Sequence, residues 1–311
     1  MRQCVFPLIL LAILVLCNRT KSNELLKLPK KQEPAVSVQT EEISITGQKG
    51  YRILTDHYDI TAFQLDDGKL AGLQLEHLAA AWKLLFAELN IKTFNIEGTE
   101  PAPQRHRVIL YRDKQEYMAN LRRLEPAIDR TNGFYSAPRK TAYFFSTETK
   151  ILFHEGTHQI LAERFFHEKR PTFRNNFWAV EGIALLMETL KVEDRCYRIG
   201  DILADRLYSA KVYRFERNHH LPIQKLTAMS AADIQSSVDL QKIYGQSAAL
   251  THWLMFAEEG RYRGILFELL RQTYCNSATP ETLSELTGLS YEELDEKYAE
   301  FLETIPDDIS E

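Results

Sequence analysis

Cysteine is scarce. Four occur in 311 residues, too few for a disulfide scaffold. Thirteen glycines and eleven prolines exclude a collagen-like or elastic composition. Charge of neither sign dominates, with 38 Lys+Arg against 43 Asp+Glu and a formal net charge of −5. That balance gives no reason to expect nucleic acid or a membrane surface as a partner. Internal repeats and low-complexity segments are missing too. What remains is an ordinary globular mixture, 44% apolar and 26% charged. It excludes disorder over the whole chain and allows one large domain or two small ones.

Long apolar runs are absent except for one. Val5 to Leu16 follows Arg2 and is interrupted only by Pro7. It is shorter than the roughly 20 residues of a membrane-spanning helix and fits a secretory h-region. Residues 1–22 are therefore expected to be a signal peptide or an N-terminal anchor. Cleavage after Cys17, lipidation at Cys17 and an uncleaved anchor all stay open; Leu16 departs from the small residue a lipobox prefers. An exported protein is expected, whether secreted, periplasmic or envelope-associated, with the membrane touched only through that segment. Asn18-Arg19-Thr20 forms a glycosylation sequon beside the cleavage region, where chance suffices to explain it. Beyond the segment only Cys196 and Cys275 remain, and a disulfide or two free thiols are equally compatible with the spacing.

Residues 23–48 are polar and aperiodic, which predicts a flexible linker. A single domain over 49–305 follows. Tyr51–Thr55, His57–Ile60 and Arg107–Tyr111 read as strands, and Leu70 to Leu89 as an amphipathic helix. Asp113 is placed to cap a short helix ending near Leu121. Gly133–Ser136 and Thr141–Phe145 form a hairpin signal. Helical spacing then covers 148–166, with Ser146 or Thr147 as cap, and 177–190, 198–209, 240–258, 261–273 and 291–303. Strands first and helices later predict an α+β domain, a small mixed sheet followed by a mainly helical half.

Chemistry concentrates at His154-Glu-Gly-Thr-His158. Histidines at i and i+4 leave one helix face a turn apart and can share one zinc ion, with Glu155 beside them as a general base. Nine histidines in the chain put a chance match of this pattern below about 4%. A catalytic zinc needs a third protein ligand. Glu181 follows 23 positions after His158 in the otherwise apolar run Phe177-Trp-Ala-Val-Glu-Gly-Ile-Ala184. A lone carboxylate on an apolar face is costly unless it meets a cation. Ile151, Leu161, Ala162 and Phe165 share or flank the histidine face, so the site should lie against the core.

H-E-x-x-H followed by W-x-x-E-G-x-A resembles the gluzincin metallopeptidases of the peptidase-MA-like group. The Gly133-Phe-Tyr hairpin and the Tyr244-Gly-Gln-Ser-Ala-Ala helix resemble secreted bacterial members placed in a domain-of-unknown-function group. The resemblance spans roughly residues 51–303. It implies a zincin-like fold and one Zn2+ per chain, held by His154, His158 and Glu181. It also implies a peptide or protein substrate, cleaved by a zinc-activated water with Glu155 as base. Tyr244 would donate to the oxyanion, with His219, His220 and His252 as alternatives. Where some gluzincins carry an acid bonded to a zinc histidine, this chain has Ala184 and Leu185, and Glu188 is the nearest substitute. The strand Thr141–Phe145 would form an edge, with Tyr143 to Phe145 on the cleft rim. An alternative is an inactive zinc-binding module that keeps the peptidase fold for binding or surface assembly.

Overall fold

A computed structural model describes residues 26–30, 37–45, 47–89, 105–126, 128–165 and 171–307. The expected signal or anchor segment and its sequon lie outside the described residues. Among the described residues no helix is long and apolar enough to cross a membrane.

The first half is a six-stranded mixed sheet. Its strands are β2 (Gln39–Ile45), β3 (Gln48–Leu54), β4 (Tyr58–Ala62), β5 (His106–Leu110), β6 (Gly133–Ser136) and β7 (Thr141–Phe144), in the order β2-β3-β4-β5-β7-β6. β4, β5 and β7 run parallel, and the remaining pairs are antiparallel. Side chains alternate between the two faces. Ile60, Val108, Leu110, Ala142 and Phe144 enter the main core with α1 (Leu65–Glu88) and α3 (Thr149–Phe165). Ile109, Tyr143 and Phe134 face the other way, into a smaller aromatic cluster under α2 (Lys114–Leu121). Asp113 caps α2 as its position predicts, accepting from Glu116 N at 2.8 Å. α1 buries Leu75, Leu78, Trp82 and Leu85 completely or nearly so, each worth roughly 1.5–3 kcal/mol against exposure.

The second half is mainly helical. It contains α4 (Phe177–Met187), α5 (Asp205–Phe215), α6 (Ile223–Ala228), α7 (Ala231–Gln235), α8 (Leu240–Phe256), α9 (Arg263–Tyr274), α10 (Thr282–Thr287) and α11 (Tyr291–Thr304). α4 packs extensively against α8. A three-stranded sheet flanks them, with β1 (Leu26–Pro29), β8 (Lys191–Val192) and β9 (Cys196–Ile199) in the order β1-β9-β8. The chain is thus α+β, strands in front and helices behind.

Three expectations need correction. The linker expected over 23–48 contains two strands, β1 and β2. β2 is an edge strand exposed over most of its length, and β1 fully buries only Leu28. Backbone pairing rather than apolar alternation holds both, so hydropathy gave no signal. The helix expected over 198–209 begins as β9 and turns helical only at Asp205; the strand is fixed by its partners β1 and β8, a long-range effect. Finally, β7 is not the edge. It lies between β5 and β6, with Tyr143 and Phe144 buried, so the rim assignment for Tyr143 to Phe145 falls and β6 takes the edge position. Cys196 and Cys275 are both free thiols.

Candidate metal centre

Helix α3 carries His154 and His158 on one face and docks through the residues between them. A Cβ on Gly156 would come within 2.6 Å of Leu78 Cδ2, so the glycine lets the Leu75 and Leu78 side chains of α1 pack directly on α3. Thr157 Oγ1 accepts from Trp82 Nε1 at 3.3 Å. The two spacer residues of the motif therefore face the core, and this turns the imidazoles the other way.

Helix α4 is buried along its whole length. Its start is fixed by Asn176, a left-handed residue at φ 53°, a conformation asparagine tolerates. Asn176 Nδ2 donates to Thr279 O at 2.8 Å, and Asn176 Oδ1 accepts from Trp178 Nε1 at 3.3 Å. Gly182 sits against Thr251 and the Ser247 carbonyl of α8, with no room for a Cβ. Between these two anchors Glu181 is the only charged residue of α4, and it is 4% exposed.

The side chains of His154, His158 and Glu181 converge. Their ligand atoms lie within 4.8 Å of one another. The two Nε2 atoms are 3.2 Å apart. Glu181 Oε2 lies 3.4 Å from His154 Nε2, and Oε1 lies 3.8 Å from His158 Nε2. Glu181 Oε2 is buried with no close hydrogen bond, its facing group being His154 Nε2 at 3.4 Å, and a buried carboxylate of this kind is expensive unless an imidazolium or a metal ion meets it. An N,N,O donor set suits zinc, and two nitrogens on a tetrahedral zinc at 2.0–2.1 Å would stand about 3.3 Å apart. The residues fit the ion.

Around this core the supporting groups are specific. Glu188 Oε1 pairs with His154 Nδ1 at 2.8 Å, which directs Nε2 inward. Arg206 Nε lies 3.6 Å from the other Glu188 oxygen, and its guanidinium lies over the Tyr244 ring at 5.8 Å. Tyr244, from α8, stands beside Glu181. Burial and that carboxylate push the phenol far up, so it stays protonated. Burial alone would lower His154, but Glu181 and Glu188 outweigh it and hold it at about 10. Burial takes His158 down to about 4. Burial also disfavours charge on Glu181, yet the two imidazoles hold its carboxyl below the ordinary value. Glu155 is pushed up to about 7 by burial, with the negative charge of Glu181 adding to it. Its Oε2 accepts from Tyr135 N at 3.0 Å.

The site opens into a cleft of about 1080 Å³. Gly133 and Phe134 of β6 line it together with Leu203, Arg206, Leu240 and Tyr244. Of the expected site residues His154, Glu155 and Tyr244 line this cleft, and His158 and Glu181 lie behind them within ligand distance of His154. Of the histidines offered as alternatives to Tyr244, His220 pairs with Asp295 at 2.8 Å and His219 packs against Tyr213, while His252 lines the cleft with its Nε2 on Gly200 O at 3.0 Å. Neither Arg206 nor the Tyr135 amide is marked out by the sequence. The first lies in the stretch whose spacing predicts one helix over 198–209, and the second is a main-chain group with no sequence signature. No protein-family model matches the chain, and no curated protein matches it.

Proposed function

We propose that the chain is a zinc-dependent hydrolase of gluzincin type on a zincin-like fold, a peptidase exported from the cell. The observation that carries this reading is the convergence of His154, His158 and Glu181 next to Glu155, with His154 and Glu155 lining a large cleft. Zinc held by those three residues would supply Lewis-acid polarisation of a water and of the scissile carbonyl.

The chain's own residues would do the rest. Glu155, with a pKa near neutrality, would take a proton from water and return it to the leaving amine. Tyr244, protonated at any physiological pH, would donate to the developing oxyanion. Glu188, braced by Arg206, would hold His154 in the tautomer that presents Nε2. A peptide fits better than a small ester because the edge strand β6 borders the cleft, and an extended chain can run beside such an edge even though its Tyr135 amide is taken by Glu155.

Proteome-wide cleavage profiling of the wild type against Glu155→Ala tests the reading. Cleavages present with wild type and lost by a factor of about 100 or more in Glu155→Ala, at equal zinc content, support it. Equal profiles from two zinc-loaded proteins would point instead to a binding module.

A further inference from the structure

Edge strand β6 touches helix α3 at three points. The first is steric. A Cβ on Gly133 would lie 2.7 Å from Glu155 Cγ and 3.0 Å from Ile151 Cγ2, well inside the roughly 3.5–4.0 Å of an ordinary carbon contact. The second is polar. Tyr135 N donates to Glu155 Oε2 at 3.0 Å. Backbone groups alternate in direction along a strand, so this N–H points away from the β6–β7 ladder. The third is an anchor further along α3. Tyr135 Oη reaches Glu163 Oε1 at 3.5 Å. Glu163 is itself held by Gln159 at 2.9 Å and His106 at 2.7 Å.

We propose that β6 is the positioning element of the base. Gly133 sets how closely the Glu155 stem lies against the strand, and the Tyr135 amide fixes one carboxylate oxygen. The inference rests on the hydrolase reading and adds two positioning residues to it. Gly133 is needed for its missing Cβ and not for an unusual backbone angle. Glu155 is then clamped between a surface that stops it and a donor that holds it. Displacing a reacting group by about 1 Å can cost roughly 100-fold in rate. A methyl group on residue 133 would force a displacement on this scale, because the neighbouring Ile151 closes the other way out.

The test uses the full zinc-loaded chain in four variants: Gly133→Ala, Tyr135→Pro, Tyr135→Ala and Glu155→Ala. Tyr135→Ala removes the side chain and keeps the amide. Tyr135→Pro removes the amide as well, at an edge position where proline breaks no ladder bond. Two readouts are taken: kcat and KM on a quenched-fluorescence peptide library, and hydrogen exchange at the Tyr135 amide. Gly133→Ala should lower kcat about 100-fold with KM and zinc content near wild type. It should also speed exchange at Tyr135 by about tenfold, and so should Glu155→Ala. Tyr135→Pro should lower kcat at least about tenfold beyond Tyr135→Ala. The proposal is overturned by a Gly133→Ala protein with kcat within about twofold of wild type and unchanged exchange at Tyr135. If Gly133→Ala does not fold, the Tyr135 pair and the exchange in Glu155→Ala decide. If no Glu155-dependent turnover exists, the hydrolase reading falls. Exchange then decides the clamp alone: faster in Gly133→Ala and Glu155→Ala upholds it, unchanged overturns it.

Discussion

The two ends of helix α3 each hold largely enclosed histidine and carboxylate, and they differ in how their hydrogen bonds close. At the C-terminal end Glu163 receives His106 on one oxygen and Gln159 and Tyr135 on the other. Both carboxylate oxygens are satisfied within the chain. At the N-terminal end Glu181 keeps a buried oxygen without a close hydrogen bond, and two imidazole nitrogens face it and each other. Residue types are nearly the same in the two places. A carboxylate with both oxygens partnered is complete as it stands, and one that shares a common centre with two imidazole nitrogens is built for something else.

The largest way to sharpen this comparison is Glu188→Ala. It removes the partner of His154 Nδ1 and should weaken zinc binding about 10–100-fold, read by competition with a chelator. At the opposite end, Glu163→Ala should leave zinc affinity within about twofold. It should cost about 1–3 kcal/mol of folding stability in denaturant titration, since His106, Gln159 and Tyr135 lose their acceptor. A zinc defect in Glu163→Ala would erase the distinction.

Acidity gives a third contrast. His154 is held protonated to about pH 10 by the carboxylates around it, so at neutral pH a metal must displace that proton. Apparent zinc affinity should rise about tenfold per unit between about pH 6 and 8, with about one proton released per ion, measurable by calorimetry in two buffers. A pH-independent affinity would contradict this.

The smallest effect concerns a purely structural pair. His57 Nδ1 lies 2.6 Å from Glu76 Oε2, and Glu76 is also held by Thr55 Oγ1 and the His57 amide. Its hydrogen bond to Glu76 raises the folded His57 pKa, so that part of the stability is full below about pH 6.5 and fades as pH climbs through the raised value. Burial alone would raise Glu76, but its hydrogen bonds lower it. Its part is full above about pH 4.5 and is lost as pH falls through the lowered value. Thermal unfolding should therefore show a shallow maximum between these limits, flattened in His57→Phe.

Local rules made much of this legible. The i, i+4 histidines needed only helix periodicity, and Glu181 stood out because everything around it in α4 is apolar. Asp113 declared its cap by type and position. Glu188 was reachable because seven residues after Glu181 it returns to the same helix face. What escaped was non-local. β1 and β2 are polar strands held by backbone pairing. β9 acquires its conformation from β1, some 170 residues earlier. That β6 rather than β7 is the edge depends on strand order, which no local pattern encodes.

The most direct measurement is elemental analysis of the purified full chain beside Glu181→Ala. The account predicts about one zinc per wild-type chain and less than about a tenth of that in Glu181→Ala, with both proteins folded. Wild-type protein that takes up no zinc, or Glu181→Ala that holds it as well as wild type, would contradict it.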